Sequence, residues 1–355
     1  MKYILNQTAV LILFLLLLYA LALAIAVPAM PRPTTGNLDS ASAARSAFMT
    51  EPKYAFLSRG LLNTVDDKTI LLGASNVLAG FRPSRLQGQV PASTVHNLAI
   101  GGANMTEVRQ MVDLVLETQS PAARQHNVFV IGVWYGLFAD DRARWYTPDR
   151  HPGDTDLDIE RYRYGFYRRT DAGPVPLIPP RWLDKGVTLI APFLLIDRLA
   201  RDAGKALRPA QIVAAPPPSD IEHATVPGAE RQRQYLAFWD DYMGGSRDLA
   251  DAPFAALTQT VDTILASGGR LLLVDLPLPR WHARGSPYEI SYRRHWQTIQ
   301  QQMEGSAGVS FLSLRDADRA EDFSDEVHPR PQVAERWAER LAGALNAVPA
   351  QVATR

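Results

Sequence analysis

The chain has 355 residues, and its 37 Lys and Arg balance its 37 Asp and Glu. This balance gives no basic surface for nucleic acid, so no nucleic-acid partner is expected. Cysteine is absent, which excludes disulfides, a thiolate nucleophile and a zinc–thiolate site. The length allows one large domain with a substantial core.

The first feature along the chain is an uncharged, leucine-rich run from about Ala9 to Val27, ended by Pro28. It is about as long as the ~20 residues that a helix needs to cross a bilayer. One interpretation is a retained membrane anchor over residues 1–29. The other is a secretory signal with Ala24-Ile25-Ala26 as its cleavage site. The run is long for a cleaved signal, which favours the anchor.

Either interpretation carries the remainder of the chain out of the cytoplasm. An exported protein without disulfides is typical of the bacterial envelope rather than of small secreted scaffolds. We therefore expect a single-pass protein of the bacterial inner membrane, with its domain in the periplasm or outside the cell.

Composition divides the rest of the chain. Residues 30–55 are rich in Pro, Ala, Ser and Thr, which predicts a linker. Residues 56–348 form the main domain. Within it, residues 134–231 hold many prolines and scattered aromatics, and we interpret them as an insertion where lids and binding loops sit. The middle of this insertion, Val187–Leu199, is predicted to be a helix.

The main domain alternates between strand-like and helix-like segments. The five predicted strands are Thr69–Leu72, Val95–Ile100, Asn127–Val133, Arg270–Leu276 and Val309–Leu314. The predicted helices begin near Met105, Phe254, Tyr288 and Pro331. This alternation predicts an α/β fold with a mainly parallel sheet of about five strands and helices on both faces.

Polar residues and glycines follow the predicted strands where each one ends. Ser75 follows the first strand, Gly101 and Gly102 the second, and Trp134-Tyr135 the third. Asp325 and His328 follow the fifth. Because ligands bind at the carboxyl ends of strands in an open parallel sheet, we expect these side chains to share one edge.

A serine, an imidazole and a carboxylate are the groups that acyl transfer through a serine ester requires. We expect His328 to take the hydroxyl proton of Ser75, and Asp325 to orient the imidazole. The backbone N–H groups of Ser75 and of Gly101 or Gly102 are the predicted oxyanion donors. Taken singly, Ser75 reads as a helix cap, and Asp325 with His328 as a cap and a solvated imidazole. The occurrence of all three residues in the expected order, at one edge of the predicted sheet, favours catalysis.

Three segments resemble a known family. Gly73-Ala74-Ser75-Asn76, Gly101-Gly102 and Asp325-Glu326-Val327-His328 are similar to blocks I, II and V of the SGNH/GDSL hydrolase superfamily. The resemblance runs in order from about Lys68 to Leu345, apart from the insertion. It implies a flavodoxin-like three-layer α/β/α fold, with the serine after the first strand and the Asp-x-x-His pair before the last helix.

The chain also departs from the family pattern. Ala74 stands where the family has Asp, and Gly132-Val133-Trp134-Tyr135 aligns with the third block, Gly-x-Asn-Asp. The asparagine that donates to the oxyanion is therefore replaced by Trp134. Asn76 or Asn104 are candidate substitutes, and a weakened oxyanion hole costs about 10²–10³ in rate. Asn76, Trp134 and Tyr135 are also expected to contact the substrate.

A membrane-anchored chain with these departures looks like the branch that transfers acyl groups in the envelope, including D-alanyl transfer to teichoic acid and O-acetylation of alginate and cellulose. The resemblance implies a serine esterase or O-acyltransferase acting on an acylated polysaccharide or lipid. A membrane-bound acyltransferase is a further candidate partner. No cofactor and no metal are expected.

Two other interpretations stay open at this stage. Without the third-block asparagine, the domain is also readable as a weak or inactive module that binds glycan or scaffolds an assembly complex. A more remote alternative is a transporter-associated accessory protein that uses the fold only structurally.

Overall fold

The computed structural model describes residues 2–29, 51–91, 94–140, 153–171, 173–207 and 226–347. These residues belong to two compact units. One contains residues 1–32 and 161–215, and the other contains residues 33–160 and 216–355. Most of the predicted linker lies outside the described residues. A helix begins at Glu51, however, so the last five residues of the predicted linker, 51–55, are helical.

Seven strands occur in the described residues. They are β1 (Lys68–Leu72), β2 (Thr94–Asn97), β3 (Asn127–Val133), β4 (Tyr167–Thr170), β5 (Gly173–Pro176), β6 (Arg270–Asp275) and β7 (Val309–Ser313).

The α-helices begin with α1 (Lys2–Ala29), α2 (Glu51–Ser58), α3 (Ser75–Gly80), α4 (Pro83–Leu86), α5 (Met105–Thr118), α6 (Pro121–Arg124) and α7 (Asp156–Arg163). They continue with α8 (Pro180–Leu189), α9 (Ala191–Leu207), α10 (Ala229–Tyr242), α11 (Asp251–Ala266), α12 (Arg280–Gly285), α13 (Tyr288–Met303) and α14 (Pro331–Ala347).

The larger unit is built on a five-stranded sheet with the order β2-β1-β3-β6-β7. Every neighbouring pair in this sheet is parallel. The predicted α/β fold with a parallel five-stranded sheet is confirmed, and the strand order is that of flavodoxin-like folds. All residues of β1 and β3 are buried, which requires cover on both faces of the sheet.

Helices provide that cover in two groups. Helix α5 packs against α11, while α14 packs against the short helices α3 and α4. Trp337 of α14 is fully buried and its ring contacts Phe81 and Phe323. The last helix therefore fixes the chain that precedes it against the first helix after β1.

Strand β2 ends at Asn97, three residues before its predicted end at Ile100. The side chain of Asn97 explains the difference. Its amide donates to the carbonyl of Phe81 at 2.8 Å, and its oxygen accepts from the N–H of Ala99 at 3.1 Å. This local turn draws the chain out of the strand conformation.

The smaller unit contains α1, the β4–β5 hairpin and the helices α8 and α9. The sequence predicted one helix over Val187–Leu199, but the structure has a break at Ile190. Pro192 explains the break, because it lacks the N–H that a continuous helix would donate to Thr188 and its ring clashes with that carbonyl. Helix α1 is long and apolar enough to cross a membrane, as predicted.

Gly132 in β3 generates a stability prediction. A Cβ there would lie 2.4 Å from Cγ2 of Val77 and 3.0 Å from Cδ1 of Leu276. Because both neighbours are buried, Gly132→Ala overpacks the core, and we expect it to lower the free energy of unfolding by about 1–3 kcal/mol. The measurement is urea unfolding of the full-length protein in detergent, followed by tryptophan fluorescence.

The matched control for this prediction is Gly343→Ala in α14, where a Cβ meets nothing within 4 Å. We expect the control to raise stability by about 0.5–1 kcal/mol, because alanine favours a helix interior over glycine. Equal stability of the two variants would contradict the close packing at Gly132.

Candidate active site

Ser75 is the first residue of α3, three residues after β1 ends. The turn between them needs Gly73, whose φ of 144° lies in the region that side chains avoid. A Cβ on Gly73 would also lie 2.5 Å from Cγ2 of Val77. The carbonyl of Gly73 accepts from the N–H of Ile100 at 3.1 Å. The serine turn is therefore tied to the loop that follows β2.

The segment from Phe323 to Pro329 forms a closed loop just before α14. A bridge joins Phe323 to Pro329, and Ser324 N–H donates to the carbonyl of His328 at 2.9 Å. One oxygen of Asp325 accepts from the N–H groups of Val327 and His328, at 2.9 and 2.8 Å. These bonds hold the carboxylate and the imidazole on the same side of the loop.

The three predicted catalytic side chains meet. Nε2 of His328 lies 2.8 Å from Oγ of Ser75, and Nδ1 of His328 lies 2.6 Å from the second oxygen of Asp325. An ionised carboxylate only accepts hydrogen bonds, so Nδ1 carries the proton. Nε2 is then the acceptor, and the Ser75 hydroxyl donates to it. The arrangement is that of a nucleophile, a base and an orienting acid.

The surroundings shift the pKa values of all three acidic and basic groups of this loop. Burial alone would lower the pKa of His328, but the hydrogen bond and charge of Asp325, together with Glu326, raise that pKa above its ordinary value of 6.5. Burial opposes ionisation of Asp325, yet its bonds with His328 and two backbone N–H groups hold the pKa of Asp325 below its usual value. Burial and the nearby charge of Asp325 raise the pKa of Glu326.

A cavity of about 540 Å³ opens beside Ser75 and His328. Ala103 N–H donates to the carbonyl of Ile100 at 3.1 Å, which closes a turn with Gly101 and Gly102 at its tip. This tip lines the cavity together with Trp134 and Glu326. The backbone of Gly101 and Gly102, predicted to form the oxyanion hole, therefore lines the same cavity as Ser75.

Helix α10 supplies a wall of the cavity that the sequence prediction missed. Its cavity-lining residues are Arg231, Gln234, Tyr235, Phe238, Trp239 and Tyr242. Their spacing of three and four residues puts them on one face of the helix, and this face is mainly aromatic. The spacing was a signal present in the sequence. It was hidden because the residues between them are mostly charged or polar and no apolar run marks the helix.

His282 is a second functional candidate that sequence reasoning did not single out. It is fully buried, and its Nε2 lies 2.5 Å from the hydroxyl of Tyr135. Its Nδ1 lies 2.7 Å from the carbonyl of Glu326, so Nδ1 donates and Nε2 accepts from Tyr135. Burial lowers the pKa of His282 to about 4, which keeps the ring neutral. No sequence pattern links these three residues.

The remaining predicted residues lie apart from the cavity surface. The side-chain oxygen of Asn104 accepts from Thr106 and Glu107 N–H groups as the cap of α5. Asn76 is fully buried, and its oxygen accepts from the N–H of Val77 at 3.0 Å. Tyr135 is buried against His282. None of the three is among the residues that line the cavity, whereas Trp134 is.

No group of three or more His, Cys, Asp or Glu side chains suited to a metal ion occurs in the described ranges. No protein-family model matches this chain, and no curated protein matches it. The resemblance to the SGNH/GDSL superfamily therefore stays a prediction carried by its motifs.

The contact between Asp325 and His328 generates a titration prediction. Asp325→Asn removes the negative charge that raises the pKa of His328, while the burial that lowers this pKa remains. We therefore expect the pKa of His328 to fall below its wild-type value. NMR of protein with ¹⁵N-labelled histidine measures both values. Ser75→Ala is the control, because it leaves Asp325 in place and the pKa should stay raised. An unchanged pKa in Asp325→Asn would contradict the ion pair.

Proposed function

We propose that this protein is an extracytoplasmic serine esterase or O-acyltransferase of the SGNH type. The observation that carries the proposal is the continuous hydrogen-bonded series Asp325–His328–Ser75 at the edge of a cavity. If Ser75 were only a helix cap and His328 only a solvated imidazole, the two ring nitrogens of His328 would not need to bind Asp325 on one side and Ser75 on the other. The strand order and the positions of the serine and the Asp-x-x-His pair also agree with that class.

The chemistry would begin with attack of Ser75 Oγ on an ester carbonyl carbon, while the hydroxyl proton passes to Nε2 of His328. The ester C–O bond then breaks, and His328 returns the proton to the departing alcohol. Water or an acceptor hydroxyl next attacks the acyl carbon of the acyl-serine and loses its proton to His328. The bond between that carbon and Ser75 Oγ then breaks, and His328 returns the proton to Oγ. Asp325 stabilises the charged imidazole in both steps.

The negative oxygen formed in each step needs hydrogen-bond donors. The backbone N–H of Ser75 and those of Gly101 and Gly102 are the groups we assign to this role. Asn104 is not among the residues that line the cavity, and its side-chain oxygen is held in the cap of α5, which weighs against its use as an oxyanion donor. Trp134 lines the cavity at the position where the family has asparagine, and it contributes surface to the bound substrate.

The proposed substrate is an acyl ester on an envelope polysaccharide or lipid. The apolar α1 supports a location at a membrane, and the aromatic face of α10 suits apolar acyl chains or the faces of sugar rings. Transfer to an acceptor hydroxyl and hydrolysis by water use the same acyl-serine.

Substitution of the nucleophile and the base tests the proposal directly. We expect Ser75→Ala and His328→Ala each to lower kcat/KM for p-nitrophenyl acetate by at least about 10³-fold, because the two groups act as a unit. The full-length protein in detergent is assayed by release of p-nitrophenol. Ser246→Ala and His126→Ala, which change the same residue types outside the cavity, should retain wild-type rates. Undiminished turnover in Ser75→Ala would rule out this triad.

The pH dependence follows from the charges around the base. Activity requires neutral His328, whose pKa is raised, so kcat/KM should rise with pH through a midpoint above 6.5. Glu326→Gln removes one of the charges that raise this pKa, and we expect the midpoint to move to lower pH. Glu321→Gln, an exposed change nearby, should leave it in place. A midpoint that moves upward in Glu326→Gln would contradict the assignment.

A second candidate function is a glycan-binding module without turnover. The observation that favours it is Trp134 in place of the family's asparagine, beside the aromatic face of α10. Wild-type protein that neither turns over esters nor reacts with a fluorophosphonate, yet shows a tryptophan fluorescence change with acetylated oligosaccharides, would favour this candidate over the enzyme.

A further inference from the structure

Exposed apolar side chains are concentrated in one part of the smaller unit. Outside α1, ten large apolar side chains are exposed in the described part of the chain, and six of them lie between residues 177 and 199. These six are Leu177, Trp182, Leu189, Phe193, Ile196 and Leu199. Phe193 is 61% exposed and Ile196 63%. Such a concentration of exposed apolar side chains marks a surface that contacts another protein or a membrane.

The junction of α8 and α9 is the least polar part of this stretch. Residues 187–196 carry no charge, while Lys185 precedes them and Asp197 and Arg198 follow. We call residues 187–196 the hairpin tip. Ten residues are too few to cross a bilayer, and an uncharged segment of this length is typical of re-entrant or interfacial structure.

The hairpin tip contacts α1 within the apolar run of that helix. The ring of Tyr19 lies 6.2 Å from that of Phe193, and the Tyr19 hydroxyl donates to the carbonyl of Leu189. Tyr19 is eight residues before Val27, which is about 12 Å along a helix. If α1 spans the membrane, the hairpin tip meets it at the depth of the acyl chains.

We infer that the hairpin tip is embedded in the lipid bilayer beside α1, as a second membrane contact of the protein. Lipid is a better occupant than a protein surface because the helix that the tip touches is itself apolar and exposed over most of its length. Lys185 lies 4.2 Å from the centre of the Trp182 ring, a pairing suited to the membrane boundary. The charges that flank the tip then remain at the lipid headgroups.

The absence of native cysteine makes a direct test possible. Single-cysteine variants Phe193→Cys and Ile196→Cys of the full-length protein carry an environment-sensitive NBD label in nanodiscs of phosphatidylethanolamine and phosphatidylglycerol. Lipids with a nitroxide on the acyl chain are the quencher. We expect blue-shifted emission and a loss of fluorescence comparable to that of a label at Leu13→Cys in α1. Ile290→Cys, at a position 79% exposed in α13, should show little loss.

The outcomes separate lipid from other environments. Quenching at both tip positions no greater than at Ile290→Cys overturns the inference. Labels shielded from lipid nitroxide and also from aqueous iodide indicate a protein partner or a second copy, and overturn it as well. If Leu13→Cys is not quenched either, α1 is outside the bilayer and the inference falls with it. None of these readouts depends on ester hydrolysis.

Discussion

The parallel register of five strands is the constraint on which the candidate site depends. It brings the loops after β1, β2 and β3 to one edge of the sheet. Strand β7, however, lies three strand spacings from β1, or about 14 Å. The chain after β7 must therefore return across the sheet, and the packing of Trp337 against Phe81 and Phe323 holds it there. As a result, Nε2 of His328 lies 2.8 Å from Oγ of Ser75, although the two residues are 253 positions apart in the sequence.

His328 and His282, the two histidines near the cavity, show how the partners of an imidazole decide its pKa and its role. His328 faces the carboxylate of Asp325, which outweighs burial and raises its pKa. His282 has a phenol and a backbone carbonyl as partners, so burial prevails and lowers its pKa to about 4. Because His282 binds the carbonyl of Glu326, the neutral ring supports the same loop that carries the base. One ring is suited to exchange protons and the other to hold the loop.

Patterns that reflect burial in the core were readable from the sequence. Strand β3 has both predicted ends and helix α13 has the predicted start, because a continuous apolar run defines the strand and a helical period defines the helix. The end of β2 and the break before Pro192 depend on single side chains that override the surrounding pattern. Helix α10 was missed because its aromatic face borders a cavity rather than the core. His282 was missed because its partners, Tyr135 and a backbone carbonyl, come together only in the fold.

The central claim is that Ser75 is a nucleophile activated by His328. Its most direct test is a crystal structure of the full-length protein after treatment with a fluorophosphonate. We predict a covalent bond between Oγ of Ser75 and phosphorus, with a phosphonyl oxygen against the backbone N–H groups of Ser75 and the Gly101-Gly102 turn. An unmodified Ser75 whose side chain lies away from His328 would contradict the account.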